Sequence, residues 1–243
     1  MTKYLNRKIF SILVVAVLAS FALLGCSRTK VDPNDLVLKS IDQMKALDSY
    51  TSMVYVKFNT DQQSGGHLTM DALIDLHKEP FAYSNVQEIS TGESTPDNPF
   101  SKLVLRILLK DQMVYTHNSV TGLWIDQSEE SLIQEITTNG DIFKNYDATQ
   151  FTNLEVASIS KNKATIKGQA ANSVFLKGLL SSFETEIVGN VEMTIDLETK
   201  YLESFVYYPE IDGASTENNK ITIKTLNFNT APEVEIPEDA VFE

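Results

Sequence analysis

Few side chains in this chain are equipped to react, and only one of them is a thiol. Cys26 follows Leu23-Leu24-Gly25 and precedes the polar run Ser27-Arg28-Thr29-Lys30. A thiol is a soft nucleophile whose reactivity is set by its surroundings. A lone cysteine excludes an internal disulfide and every cysteine-based zinc or iron–sulfur pattern. The histidines are His67, His77 and His117. His67 and His77 bracket a segment that spans about 30 Å when extended, too far for a shared metal. Asp71, Asp75 and His77 fall on one face of that segment, where neighbours two positions apart are about 6–7 Å from each other. Such a trio has the groups for hydrolysis or metal binding, but a solvated strand face accounts for it. G-x-S-x-G, P-loop, H-E-x-x-H and dinucleotide signatures are missing. Asp61 opens Asp-Gln-Gln-Ser-Gly-Gly without the further acids of a calcium loop. Trp124 has no second aromatic beside it and suits packing better than sugar stacking. No enzyme, metal or soluble cofactor is expected.

The N-terminus has a different character. Residues 9–25, IFSILVVAVLASFALLG, carry no charge and follow Lys3, Arg7 and Lys8. That is the layout of a secretory signal. As a helix this run reaches about 25 Å, short of the roughly 30 Å hydrocarbon core, so a permanent span is marginal. Leu23-Leu24-Gly25-Cys26 resembles a bacterial lipobox. The resemblance implies diacylglyceryl transfer to the Cys26 thiol and cleavage before it. Residues 1–25 would then be a signal peptide, and Cys26 the lipidated first residue. Two acyl chains, palmitate among them, anchor a protein far more firmly than one. The alternative is an uncleaved signal anchor with an incidental cysteine. Residues 26–35, with Pro33, read as a lipidated tether. The expected location is the extracytoplasmic face of the bacterial cell membrane, held there by the lipid anchor.

Composition bounds the rest. Hydrophobic content of 42% and charged content of 22% suit a globular chain. The net charge is −13. Lys3, Arg7 and Lys8 are the only charges before residue 26, so residues 26–243 carry −16. A body this acidic disfavours nucleic acid and anionic headgroups as non-specific partners.

The elements follow from periodicity. Asp35 is a candidate cap for a helix over 36–47, with Leu36, Val37, Leu38, Ile41, Met44 and Leu47 as its apolar stripe. Residues 49–59 are rich in aromatic and β-branched types and read as a strand. Residues 61–66 read as a turn. Residues 67–77 alternate, with Leu68, Met70, Ala72, Ile74 and Leu76 on one face and Leu73 out of pattern. A third strand follows over 80–90 and a loop over 91–99. A hairpin turns at Asp111-Gln112, and a short strand follows Gly122. Ser128 is a candidate cap for a helix ending near Asn139-Gly140. Hairpins turn at residues 161–163 and 198–200. Residues 171–184, apolar over most of their circumference, read as a short helix capped by Asn172 or Ser173. A late strand and an extended close complete the chain. Nothing alternates as βαβ, which argues against a parallel nucleotide-binding sheet.

ALDSYTSMVYVKF, DLHKEPFAYS, MVYTHNSVTGLWIDQS and MTIDLETKYLESFVYY, with the closing ITIKTLNFNTAPEVEIPEDA, carry a resemblance. They resemble, in layout and element order, bacterial lipoproteins with a LolA/LolB-like half-barrel: LppX/LprG-like proteins and uncharacterised firmicute lipoproteins of this layout. The resemblance implies an α+β fold in one domain over 36–243: a curved antiparallel β-sheet (half-barrel) with helices covering the concave side. It also implies carriage of a lipid or lipid-linked molecule in an apolar cavity. Val54, Val56, Phe58, Leu103, Leu105, Ile107 and Leu109 are the candidate lining, with Phe175, Leu179 and Phe183 as a lid. Entry would require movement of the 172–183 helix or the 91–99 loop. The alternative is that these residues pack as a filled core and the surface binds a protein partner.

Replacing Cys26 by Ala is expected to abolish metabolic labelling with a palmitate analogue and to release or stall the protein. Labelling that persists in the variant would refute the lipobox reading.

Overall fold

Alternation of apolar and polar residues builds a sheet from two antiparallel meanders. The computed structural model describes residues 31–59, 67–92, 101–171, 187–211, 214–215 and 218–240. Pro33–Glu243 forms one compact unit. The first meander runs through β1 (Ser49–Asn59), β2 (His67–Lys78), β3 (Phe81–Ser90), β4 (Lys102–Lys110), β5 (Met113–Asn118) and β6 (Leu123–Asp126). The second runs through β7 (Phe151–Ser160), β8 (Lys163–Ala171), β9 (Val188–Asp196) and β10 (Leu202–Ile211). Two-residue β11 (Ala214–Ser215) pairs with β10 outside the main path. The last strand, β12 (Lys220–Leu226), lies between the meanders. The order is β6-β5-β4-β3-β2-β1-β12-β10-β9-β8-β7. Among the described residues the sheet is antiparallel throughout and does not close, leaving β6 and β7 as its edges. The expected α+β fold, a curved and unclosed antiparallel sheet, is what the chain forms.

Register follows the apolar pattern. Ile223 of β12 lies opposite Val54 on one side and Phe205 on the other, and Ile221 lies opposite Val56 and Tyr207. All six are at most 2% exposed. At the β4–β5 turn Asp111 and Gln112 both take positive φ, +52° and +65°. Two consecutive residues in this region match the right-handed twist of the flanking strands.

The helices correct three details of the sequence reading. Helix α1 (Pro33–Lys45) starts at Pro33, so Asp35 lies in its first turn and does not cap it. A proline suits that opening position because its missing N–H has no intrahelical partner there. Asp35 instead pairs with Lys39 one turn on, at 2.7 Å and well exposed, which contributes about 0.3–0.5 kcal/mol. Leu36, Val37, Ile41 and Met44 are buried, while Leu38 is exposed. For helix α2 (Glu130–Asn139), Ser128 makes no cap. Its hydroxyl accepts from the Val114 N–H and donates to Asp126. Gly140 ends α2 in a right-handed conformation. A Cβ there would lie 2.7 Å from the Ile136 carbonyl and 3.1 Å from the Tyr83 ring, so glycine is needed for close approach.

A polar knot joins the elements at one end of the sheet. Asp141 accepts from the Tyr50 hydroxyl at 2.9 Å and the Phe143 N–H at 3.0 Å, and its other oxygen lies 3.0 Å from Lys78 Nζ. Lys78 also donates to the Lys45 carbonyl at the end of α1, and the Ile142 N–H donates to the Tyr50 oxygen. The extended close of the chain packs against the sheet. Val234 and Ala240 are buried with Ala82, Leu108, Tyr115 and Trp124. The ring N–H of His77 donates to the Pro232 carbonyl at 2.7 Å, and Lys110 Nζ donates to the Val234 carbonyl at 2.8 Å. Trp124 is therefore a packing residue.

The expected 61–66 turn, the 171–184 helix with Phe175, Leu179 and Phe183, most of the 91–99 loop, and the N-terminal segment through Cys26 lie outside the described residues.

The buried polar groups generate two stability predictions. Asp141→Ala leaves Lys78 and the Tyr50 hydroxyl without their shared acceptor, an expected cost of about 3 kcal/mol. Tyr50→Phe is expected to cost about 1–2 kcal/mol. Urea unfolding measures both, and a loss under about 1 kcal/mol for Asp141→Ala would remove the knot from the stability argument. The second prediction concerns alkali. Burial holds the Tyr83 phenol up at about 12 and raises Tyr50, Tyr146 and Tyr207 as well, Asp141 adding to the effect at Tyr50. The unfolded chain releases these protons near pH 10 while the folded chain retains them. Stability should therefore be unaffected by these groups below about pH 9 and fall from about pH 10 to beyond 12. Denaturation midpoints unchanged between pH 9 and 11.5 would contradict this.

Candidate functional site: an apolar sheet face that opens towards one edge

The strands place the expected lining residues on one face. Pairing aligns Val56, Met70, Ile89 and Leu103 in one row across β1–β4, and Val54, Ala72, Gln87 and Leu105 in the next. A third row runs Ser52, Ile74, Asn85 and Ile107, and a fourth Tyr50, Leu76, Tyr83 and Leu109. Seven of the ten expected lining residues fall in these rows or, for Phe58, beside them.

Burial changes along the rows. On β1 and β2 the face is a closed core: Val54, Val56, Phe58, Met70, Ala72, Ile74 and Leu76 are all buried. On β3 and β4, Ile89, Leu103, Leu105 and Ile107 are half-buried, although Leu109 at the end of its strand is buried. Further out, on the edge strand β6, Leu123 and Ile125 are 63% and 48% exposed. The same face thus passes from filled core to accessible apolar surface as it approaches the β6 edge.

Polar atoms mark the transition. Asn85 is 4% exposed and sits between Ile74 and Ile107. Its amide N–H donates to the Tyr83 hydroxyl at 2.9 Å, while its carbonyl oxygen has no partner among the described residues. The Ser52 hydroxyl, in the same row, also has none among them. Buried polar atoms are usually paired, and these two are exceptions among the described residues. The amide orientation of Asn85 is assigned from this network.

The other titratable groups have structural roles. Asp75 accepts from the Thr51 hydroxyl at 2.6 Å, and His77 is bonded to Pro232. Hydrogen bonds from turn residues hold the exposed Asp126, Asp147 and Asp196 carboxyls below the usual range. Among the described residues the perturbed groups are buried tyrosines and turn-forming aspartates, with no facing acid–base pair of the kind that acid–base catalysis uses. No three His, Cys, Asp or Glu side chains among them converge as a metal site.

A cavity of about 620 Å³ bounded by described residues lies on the opposite face, lined by Met53, Tyr55, Leu73, Val86 and Val104 with charged neighbours. Of the expected lining residues, Val54 alone borders it. The sequence offers one signal for that site, the out-of-pattern Leu73, which is 43% exposed.

Among the described residues no helix is long and apolar enough to cross a membrane. The fold is similar to that of LprF from Mycobacterium bovis, seen in a crystal structure: the TM-score is 0.58 at 12% identity, over 84% of this chain and 96% of that one. No protein-family model and no curated protein matches the sequence. At 12% identity the likeness carries the fold, and function has to be argued from this chain's own residues.

Proposed function

We propose that this protein is a lipid-anchored bacterial lipoprotein of the LppX/LprG-like half-barrel kind. It binds a lipid or lipid-linked molecule against the helix-bearing face of its sheet. The observation that carries the reading is the burial gradient from Val54 and Val56 to Leu103, Leu105 and Ile107. Aliphatic side chains on the core face of a sheet are ordinarily buried, and a row left half-buried and running out to exposed Leu123 and Ile125 favours a ligand or partner surface. Val54, Val56 and Phe58 form the closed end, Leu103 to Leu109 the wall, and Asn85 an acceptor for a ligand hydroxyl. Phe175, Leu179 and Phe183 are proposed as the cover. Cys26, bearing diacylglycerol, holds the protein at the extracytoplasmic face. The chemistry is non-covalent, and the protein is not an enzyme. A second reading, docking of a protein partner, is supported by the exposed Val120, Leu123 and Ile125 at the β6 edge.

Native mass spectrometry of the protein lacking residues 1–27 is the test. Co-purifying lipid is expected, and Leu105→Trp should reduce its occupancy about tenfold by filling the wall. A protein that carries no lipid and takes none up from vesicles would sink the carrier reading and leave the protein-docking one.

A further inference from the structure

The two edges of the sheet among the described residues are built differently. β7 is blunted, as edge strands commonly are. Its register with β8 shifts twice, and Asn153 takes a positive φ of +54°. Bulges of this kind bend an edge and spoil it as a template for pairing. β6 has only the protection of being short. Its register with β5 runs unbroken from Tyr115–Asp126 to Asn118–Leu123, and Leu-Trp-Ile-Asp contains neither proline nor lysine.

The pairing fixes which way the β6 backbone points. The Gln127 N–H donates to the Val114 carbonyl at 2.9 Å. Residues two apart on an antiparallel strand bond to the same side. Ile125 therefore faces β5, while Trp124 and Asp126 turn their N–H and C=O groups away from it. No strand lies opposite them among the described residues. Leu123 and Ile125, both exposed, project from one face of this free edge.

Charge selects the occupant. Between Lys110 and Lys144 the chain contains no lysine or arginine. Asp126, Glu129 and Glu130, on β6 or directly after it, are exposed, and so is Glu238 in the closing turn Glu238–Ala240 that packs against β6. None of the four forms an ion pair among the described residues. A second copy would bring the same acids to the shared edge. A lysine or arginine on an incoming strand would instead meet carboxylates, and such complementarity selects partners.

We infer that the β6 edge takes up an extended segment of a partner protein by strand addition, a segment with alternating apolar residues and a basic end. Trp124 and Asp126 each exchange a pair of hydrogen bonds with it. Its apolar side chains pack beside Leu123 and Ile125, and its basic end meets Asp126, Glu129 and Glu130. In strand addition main-chain bonds supply attachment and alternate side chains supply selectivity. The inference rests on the protein-docking reading of this edge, to which it gives a mode, and is independent of lipid carriage.

Hydrogen exchange and peptide titration on the full chain in phosphatidylcholine nanodiscs test it. The probe is the peptide Lys-Val-Thr-Val-Thr-Val-Lys, blocked at both ends. With its valines beside Leu123 and Ile125, its threonines lie opposite Trp124 and Asp126. Binding should slow amide exchange at Trp124 and Asp126. N-methylating the threonines should weaken binding about tenfold or more, because it removes the donors that face β6. N-methylating the valines, whose N–H groups point away, should leave it unchanged. The counterpart with glutamate in place of both lysines should bind about tenfold more weakly. Asp126→Pro removes an outward donor without touching a β5 bond, and Ile125→Lys places a cation on the exposed edge. Each should weaken binding of the basic peptide about tenfold, with the fold checked by circular dichroism and lipid occupancy unchanged by native mass spectrometry. Equal binding of the threonine-methylated peptide would overturn strand addition while retaining docking by side chains. Unchanged exchange at Trp124 and Asp126, or equal binding of the acidic peptide, would overturn the inference as well. A dimer that Asp126→Pro dissolves would also overturn it, by assigning the edge to a second copy.

Discussion

The architecture depends on where the last strand goes. Among the described residues the two meanders, β1–β6 and β7–β10, meet in the sheet only through β12, which enters between β1 and β10. The rows of Val54, Ile223 and Phe205 and of Val56, Ile221 and Tyr207 join the halves into one core. These contacts are among the longest in sequence separation, so loop-closure entropy must be overcome before they form. A one-residue slip of β12 would bring Lys220, Thr222 and Lys224 into the core, and the register is strongly specified for that reason.

The chain beyond β12 secures one part of the sheet. This C-terminal extension runs over the outer face of β3–β6, where Val234 and Ala240 bury Trp124 and Leu108. On the other side Asp141 gathers Tyr50, Lys78 and the Phe143 N–H, and Lys78 reaches on to the end of α1. These bonds differ in kind from the exposed Asp35–Lys39 and Glu88–Lys102 pairs. Solvent screens the exposed pairs to a fraction of a kcal/mol, whereas breaking the knot strands partly buried groups.

With register and ends secured, the sheet has two unequal faces. The helix-bearing face is a dense core under β1, β2 and β12 and opens under β3–β6. The outer face is polar over much of its area, closed by the C-terminal extension on one part and interrupted by an apolar trough on another. Both departures from simple alternation favour association with something apolar. The perturbed titratable groups among the described residues are accounted for by burial and turn geometry.

Much of this was legible in the residues alone. Strand-period alternation marked β1, β2 and the later hairpins, and turn residues marked their connections, because both depend on neighbours a few positions apart. The helix caps were misplaced, since Ser128 and Asp35 found better partners in Val114, Asp126 and Lys39 than in a helix N-terminus. Leu73 was visible as an exception, but its companions Met53, Val86 and Val104 lie on other strands and could not be grouped with it. The sequence by itself determined the class of fold, the acidic body, the scarcity of reactive groups and the lipobox-like segment around Cys26. Only the tertiary structure decided which apolar rows are sealed and which stay open. Those properties belong to strands paired across long stretches of chain, such as Val54 with Ile223, and pairing at that distance is set by the whole core at once.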